Sequence, residues 1–245
     1  ALADVTADGT LRAITLVGDA GMGKTRLIGE FEDTLRRRAP AVPVLLGRAH
    51  PRSVLQPFDL LRDLLTRHFG IGDDPDAART RLVDGLAPLF RAEGEAPVHV
   101  LGHLIGLDFG SSPHVARLLA QATQMRERAL DAAAMFMRRL GASAGAPVVL
   151  ILDDMHWADD GSLDFVEHLL RADRDVPLLV LTVARPDLLE RRPAWAERGP
   201  PHVRLDIGPL DKALSNQLAT SLLQRLGQVP PALQELVTGG AEGNP

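Results

Sequence analysis

Short, almost wholly apolar runs alternate along the chain with longer stretches whose apolar positions return every three or four residues. The first pattern reads as strands buried on both faces and the second as helices packed along one stripe. Their alternation is the mark of βαβ units around a parallel sheet with helices on both sides. Five strands are expected: Arg12 to Val17, Pro43 to Gly47, Val148 to Leu152, Leu178 to Ala184 and Val203 to Ile207. A first helix should run from Lys24 to about Arg38, where Leu27, Phe31 and Leu35 recur at helical spacing and Pro40 ends it.

Between the second and third strands lies a stretch far longer than an ordinary βα connection, marking a helical insertion over about residues 52–145. Its periodic segments are Leu60 to Phe69, Ala77 to Phe90, Pro113 to Leu119 and Met125 to Leu140. Val98 to Ser112, interrupted by Gly102, Gly106 and Gly110, has no clear period and reads as loop and short helix. After Pro209, the spacing of Leu214, Leu218 and Leu222, then of Leu233 and Leu236, predicts small helices forming a lid. The expected organisation is therefore a core over residues 1–210 and the start of a helical lid over 211–245.

Composition adds mainly exclusions. Net charge is -5, which supplies no general attraction to nucleic acid or anionic lipid. No cysteine is present, so disulfides and thiolate metal sites are excluded, and the chain suits a reducing, cytoplasmic setting. The apolar runs Val148 to Leu152 and Leu178 to Val183 are too short to cross a bilayer, and no membrane partner is expected. The chain opens on alanine and closes on Gly243-Asn244-Pro245, which leads us to expect a piece of a longer polypeptide.

The strongest chemical signal is Gly18-Asp19-Ala20-Gly21-Met22-Gly23-Lys24-Thr25, a G-x-x-x-x-G-K-[ST] loop joining the first strand to the first helix. Glycines let backbone N–H groups converge on a phosphate chain at close range. Lys24 then reaches the β- and γ-phosphates, Thr25 offers its hydroxyl to Mg²⁺, and the helix N-terminus favours the anion. Arg26, the next residue, is a further candidate on the nucleotide. The bland alternative, a glycine-rich turn capping a helix, fits the flanking strand and helix less well.

The third strand delivers Asp153 and Asp154 at its C-terminal end, the edge where open parallel sheets bind ligands. Asp153 is the candidate Mg²⁺ ligand, through water, and Asp154 the group that orients or deprotonates the attacking water. Such a pair alone is often only a helix cap, and it gains weight from the phosphate loop. At the end of the fourth strand, Arg185 is placed to contact the γ-phosphate and report its loss; the plainer reading is a solvated arginine before Pro186. Arg48 and Arg204 also lie near strand ends, with nothing in the sequence to rank them. His156 and Trp157 read as packing beneath the site, and His99, His103 and His114 as scattered structural residues. Together these features predict an α/β, P-loop NTPase three-layer sandwich with a five-stranded parallel sheet in the order 5-1-4-3-2, and ATP or ADP with Mg²⁺ as its ligands.

With the phosphate loop, the run Val148 to Asp159 (VVLILDDMHWAD) and the LTVARP segment ending at Pro186 in view, the chain resembles the signal-transduction ATPases with numerous domains. These include modules of bacterial adenylate or guanylate cyclases and of LuxR-type transcriptional regulators. The D-D-x-H-W-A-D extension, here Asp153, Asp154, His156, Trp157, Ala158 and Asp159, is much more specific than an acidic strand end. The resemblance implies γ-phosphate sensing by Arg185. It also implies a G-x-P motif at Gly243-Asn244-Pro245, with Pro245 packed near the adenine. The family's G-R-E-like segment before the first strand is not seen ahead of Arg12.

Motifs and resemblance together lead to the expectation of an ATP-binding, slowly hydrolysing regulatory module, covalently joined to effector domains and self-associating through its ATPase core. A nucleotide-binding interaction module with negligible catalysis is the competing reading. A small-molecule kinase lacks the D-D-x-H-W-A-D strand, and a DNA-loading ATPase conflicts with the acidic balance and with the lack of a DNA-binding element.

Overall fold

A computed structural model describes residues 1–52, 56–172, 175–197 and 199–223. Five parallel strands form one sheet: β1 (Arg12–Val17), β2 (Val44–Arg48), β3 (Val148–Asp153), β4 (Leu178–Ala184) and β5 (His202–Asp206). Their order across the sheet is β2-β3-β4-β1-β5, the predicted order read from the other edge. Each strand lies within a residue or so of its expected bounds; β3 and β4, apolar almost throughout, are buried on both faces, whereas the edge strand β5 is mostly exposed.

The two faces can be followed along β3. Val148, Leu150 and Leu152 enter one core with Phe136, Phe165 and Leu61. Val149 and Ile151 enter the other with Ile28, Leu35 and Val5. Full burial of a Leu or Ile side chain stabilises by about 1.5–3 kcal/mol, so each β3 position weighs on one layer and the strand as a whole on both. The second face is covered by α1 (Leu2–Asp8) and α2 (Lys24–Arg38). On α2 the packed stripe is Ile28 and Leu35 with Phe31 beside them, whereas Leu27 stays 48% exposed. The predicted and observed stripes share Phe31 and Leu35 and differ only in Leu27 against Ile28, a choice that the position of the sheet decides.

The insertion comprises α3 (Asp59–Phe69), α4 (Pro75–Leu86), α5 (Ala96–Leu104), α6 (Pro113–Ala116) and α7 (Ala122–Ala144). It covers the first face through Leu60, Leu61, Leu64, Leu65 and the α7 residues Ala133, Phe136 and Met137. The unperiodic segment is half helix, α5, followed by turns. Four elements go beyond the sequence expectation: α1, a 3₁₀ turn at Met155–Trp157, α8 (Asp160–Ala172) and α9 (Asp187–Arg191). The last described helix is α10 (Lys212–Leu223), which falls in the predicted lid region; Leu233, Leu236 and Pro245 lie outside the described residues. Among the described residues no helix is long and apolar enough to cross a membrane.

Candidate nucleotide site

The loop between β1 and α2 owes its path to two glycines. Gly23 adopts φ 74°, in the left-handed region, just before the first turn of α2, where an L side chain would be strained. Gly18 passes so near the Ile207 carbonyl oxygen that a Cβ there would overlap it. That close approach is anchored on both sides, by the Gly18 N–H donating to the Ala184 carbonyl (3.2 Å) and the Ile207 N–H to that of Val17 (2.7 Å).

Lys24 folds over this loop, its Nζ donating to the carbonyls of Gly18 and Asp19, both at 2.7 Å. Burial, and next the Arg185 guanidinium, push the Lys24 ammonium below its ordinary pKa, against the opposing pull of Asp154, Asp153 and Asp19. Lys24, Thr25, Asp153, Asp154 and Arg185 line one cleft of about 310 Å³ with the loop residues Ala20 to Gly23. The strand order explains this convergence: β1, β4 and β3 are consecutive in the sheet, and the cleft opens outside their C-terminal ends.

The acidic pair is held unequally. Asp153 ends β3, and its Oδ1 accepts the Asp154 N–H at 2.9 Å. Asp154 sits at φ 56°, a conformation uncommon for a non-glycine residue, and begins the 3₁₀ turn. Strain of that kind collects at functional sites, where the surroundings over-determine it. Here the Trp157 N–H donates to the Asp154 carbonyl at 2.8 Å, closing the turn that directs the carboxylate toward the cleft.

A further residue joins the pair. Arg48 ends β2 directly opposite Asp153 in the β2–β3 register. Its Nη2 lies 2.7 Å from Asp153 Oδ2 and its Nε 3.4 Å from Asp154 Oδ2. The hydrogen bond to Asp153 raises the Arg48 pKa further above its already high value. The Arg48 backbone N–H donates to Asp63 on α3 at 2.8 Å, fixing the strand end that carries the side chain. No spacing within the sequence distinguished Arg48 from Arg204, which turns instead to Asp206 on its own exposed strand at 2.6 Å.

The remaining candidates separate by position. Arg26 is 72% exposed, lies 3.7 Å from Glu30, and does not line the cleft. Gly18 and Asp19 contribute backbone rather than side chains. His156 is buried, as expected, with neither ring nitrogen hydrogen-bonded among the described residues, and its pKa is lowered by burial and then by Arg185. Asp159 proves to be a structural clamp. Its buried carboxylate accepts the Phe58 N–H at 2.9 Å, the Asp59 N–H at 3.2 Å, the Ser162 N–H at 2.9 Å and the Ser162 hydroxyl. One side chain thereby caps α8 and holds the entry to α3.

The donor set suits a Mg-nucleotide. Lys24 and Arg185 bring positive charge to the cleft beside the glycine-rich loop, as a phosphate chain would require, and Thr25 and Asp153 offer oxygens of the hard kind that Mg²⁺ prefers. Residues 1–181 match the family described as the AAA ATPase domain. The chain belongs to that family. An uncharacterized protein of Rhizobium meliloti (strain 1021) is 31% identical to this AAA ATPase domain over 211 residues, 81% of the chain and 18% of the relative. The chain thus spans about a fifth of that relative's length. Among solved structures, the Pif1 helicase of Candida albicans aligns over 94% of this chain and 44% of its own, with 14% identity and a TM-score of 0.33.

Proposed function

We propose that this AAA ATPase domain binds MgATP, hydrolyses it slowly, and acts as the regulatory module of a multidomain bacterial signalling protein in the cytoplasm. The observation that carries the reading is the single cleft shared by Lys24, Thr25, Asp153, Asp154 and Arg185. In it Lys24 and Arg185 act on the outer phosphates, so a diphosphate, lacking the γ-phosphate, forgoes part of their attraction. That difference is the free energy with which nucleotide would choose between two arrangements of the domain. Mg²⁺, held by Thr25 and Asp153, would neutralise phosphate charge, and Asp154 would orient the attacking water. Effector domains, of the cyclase or the DNA-binding kind, would be joined covalently outside the described residues, and self-association would run through the ATPase core. The small share of the Rhizobium relative that the chain covers agrees with a modular arrangement.

Titration of labelled ATP with Mg²⁺ against the wild type and Lys24→Ala tests the binding. At least a tenfold loss is expected in the variant, and equal affinities would overturn the reading. A second reading is a nucleotide-binding interaction module with negligible turnover, and the pairing of Arg48 with both carboxylates favours it. Released phosphate measured against bound nucleotide separates the two.

A further inference from the structure

Away from the cleft, the insertion gathers Glu95, His99 and His114, each offering one ligand atom, all within 4.8 Å of one another. Glu95 stands at the start of α5 and His99 one helical turn on, so the two share a face. His114 lies in the first turn of α6, whose N-cap, Ser112, accepts the His114 N–H at 3.2 Å. The same Ser112 hydroxyl, almost fully buried, is 2.9 Å from Nδ1 of His99. Phe109 stacks on the His99 ring, with centroids 4.8 Å apart, so that ring is fixed both by packing and by a hydrogen bond.

We propose that Glu95, His99 and His114 form a binding site for a divalent transition cation, Zn²⁺ fitting best, with the fourth position left to water. Imidazole and carboxylate together suit Zn²⁺, whereas Mg²⁺ prefers oxygen ligands throughout, so this site is chemically distinct from the nucleotide cleft. Ser112 plays the part usual beside a metal-binding histidine: with the proton on Nδ1, it holds the ring and leaves the lone pair on Nε2. Solvent reaches the group from two sides, because His99 lines a cleft of about 430 Å³ and His114 another of about 510 Å³. A bound ion would fasten α5 to α6, two elements that are consecutive in the insertion and joined by a turn-rich segment.

The test is competition of the nucleotide-free protein against a chromogenic chelator for Zn²⁺, with Co²⁺ absorption reporting the coordination shell. One equivalent should bind. His99→Ala and His114→Ala should each lose at least about tenfold in affinity. Glu95→Gln, altering an exposed side chain that the fold does not need, should lose affinity while keeping the wild-type melting temperature and ATP binding. Asp153→Asn should leave Zn²⁺ binding unchanged. Equal Zn²⁺ affinity in the wild type, Glu95→Gln and His114→Ala would overturn the proposal, as would an equivalent of Zn²⁺ that disappears in Asp153→Asn.

Discussion

Arg48→Ala removes the guanidinium that bridges Asp153 and Asp154 and leaves the rest of the cleft intact. The contact at 2.7 Å to Asp153 is short and charge-assisted, yet the Arg48 side chain is 42% exposed. Water therefore screens it, and the bridge is worth about 1 kcal/mol rather than the several expected of a buried pair. A Mg²⁺ recruited by Asp153 must either displace that guanidinium or share the carboxylate with it. Removing it should lower the Mg²⁺ concentration needed for half-maximal nucleotide binding by about fivefold, since 1.4 kcal/mol corresponds to a factor of ten. The assay is titration of a fluorescent ATP analogue at stepped Mg²⁺ concentrations for the wild type, Arg48→Ala and Arg48→Lys. Lysine keeps the charge but loses the two-nitrogen grip, so it should fall between the others. Folding should change by no more than about 1 kcal/mol, because the backbone N–H of residue 48 keeps its bond to Asp63. An unchanged or higher Mg²⁺ requirement in Arg48→Ala, with folding intact, would show that the arginine does not compete for the metal site.

Asp154→Asn should still bind ATP but lose about a hundredfold or more in phosphate release, the usual weight of a positioned base; unchanged turnover removes Asp154 from the chemistry. Asp159→Ala strips the acceptor from three backbone N–H groups and a hydroxyl, and should cost about 2–4 kcal/mol in urea unfolding; a change under about 0.5 kcal/mol contradicts the clamp. His202 contributes a pH dependence of definite sign. Burial lowers its pKa in the folded chain, so below about 6.5 the unfolded chain binds more protons and stability falls as the pH falls, by at most about 1.4 kcal/mol per pH unit. The slope should flatten in His202→Gln, and a slope of opposite sign would contradict the burial argument.

The parts of this molecule that were legible in its sequence are those whose determinants lie next to one another. The phosphate loop, β3 with its two aspartates and the arginine after β4 each carry strand, turn and functional residue in one contiguous stretch. What stayed hidden depends on which strand lies beside which. Arg48 meets Asp153 only because β2 pairs with β3 in that register. His99 and His114 meet only because α5 and α6 pack together. Leu27 and Ile28 both continue a helical stripe, and the sheet selects Ile28. α8 went unassigned because its capping residue, Asp159, belongs to a motif read for its chemistry, whereas the carboxylate serves the backbone.

That double use of one motif ties the insertion to the cleft. Asp153 and Asp154 line the cleft, while a few residues on, the same segment turns away and Asp159 grips the entry to α3. From the far side of Asp153, Arg48 carries the connection to α3 a second time, its side chain on the carboxylates and its backbone N–H on Asp63. Ser162 adds a third tie, its hydroxyl accepting the Leu60 N–H at 3.2 Å. α3 is thus held from two strand ends and a helix cap, all neighbours of the acidic pair, and its four core leucines, Leu60, Leu61, Leu64 and Leu65, are fully buried. A helix fixed so tightly has little room to slide independently. Any change in how Arg48 holds the two carboxylates bears on α3 as a unit, and through it on the layer of helices that separates β2 from β3 in the chain.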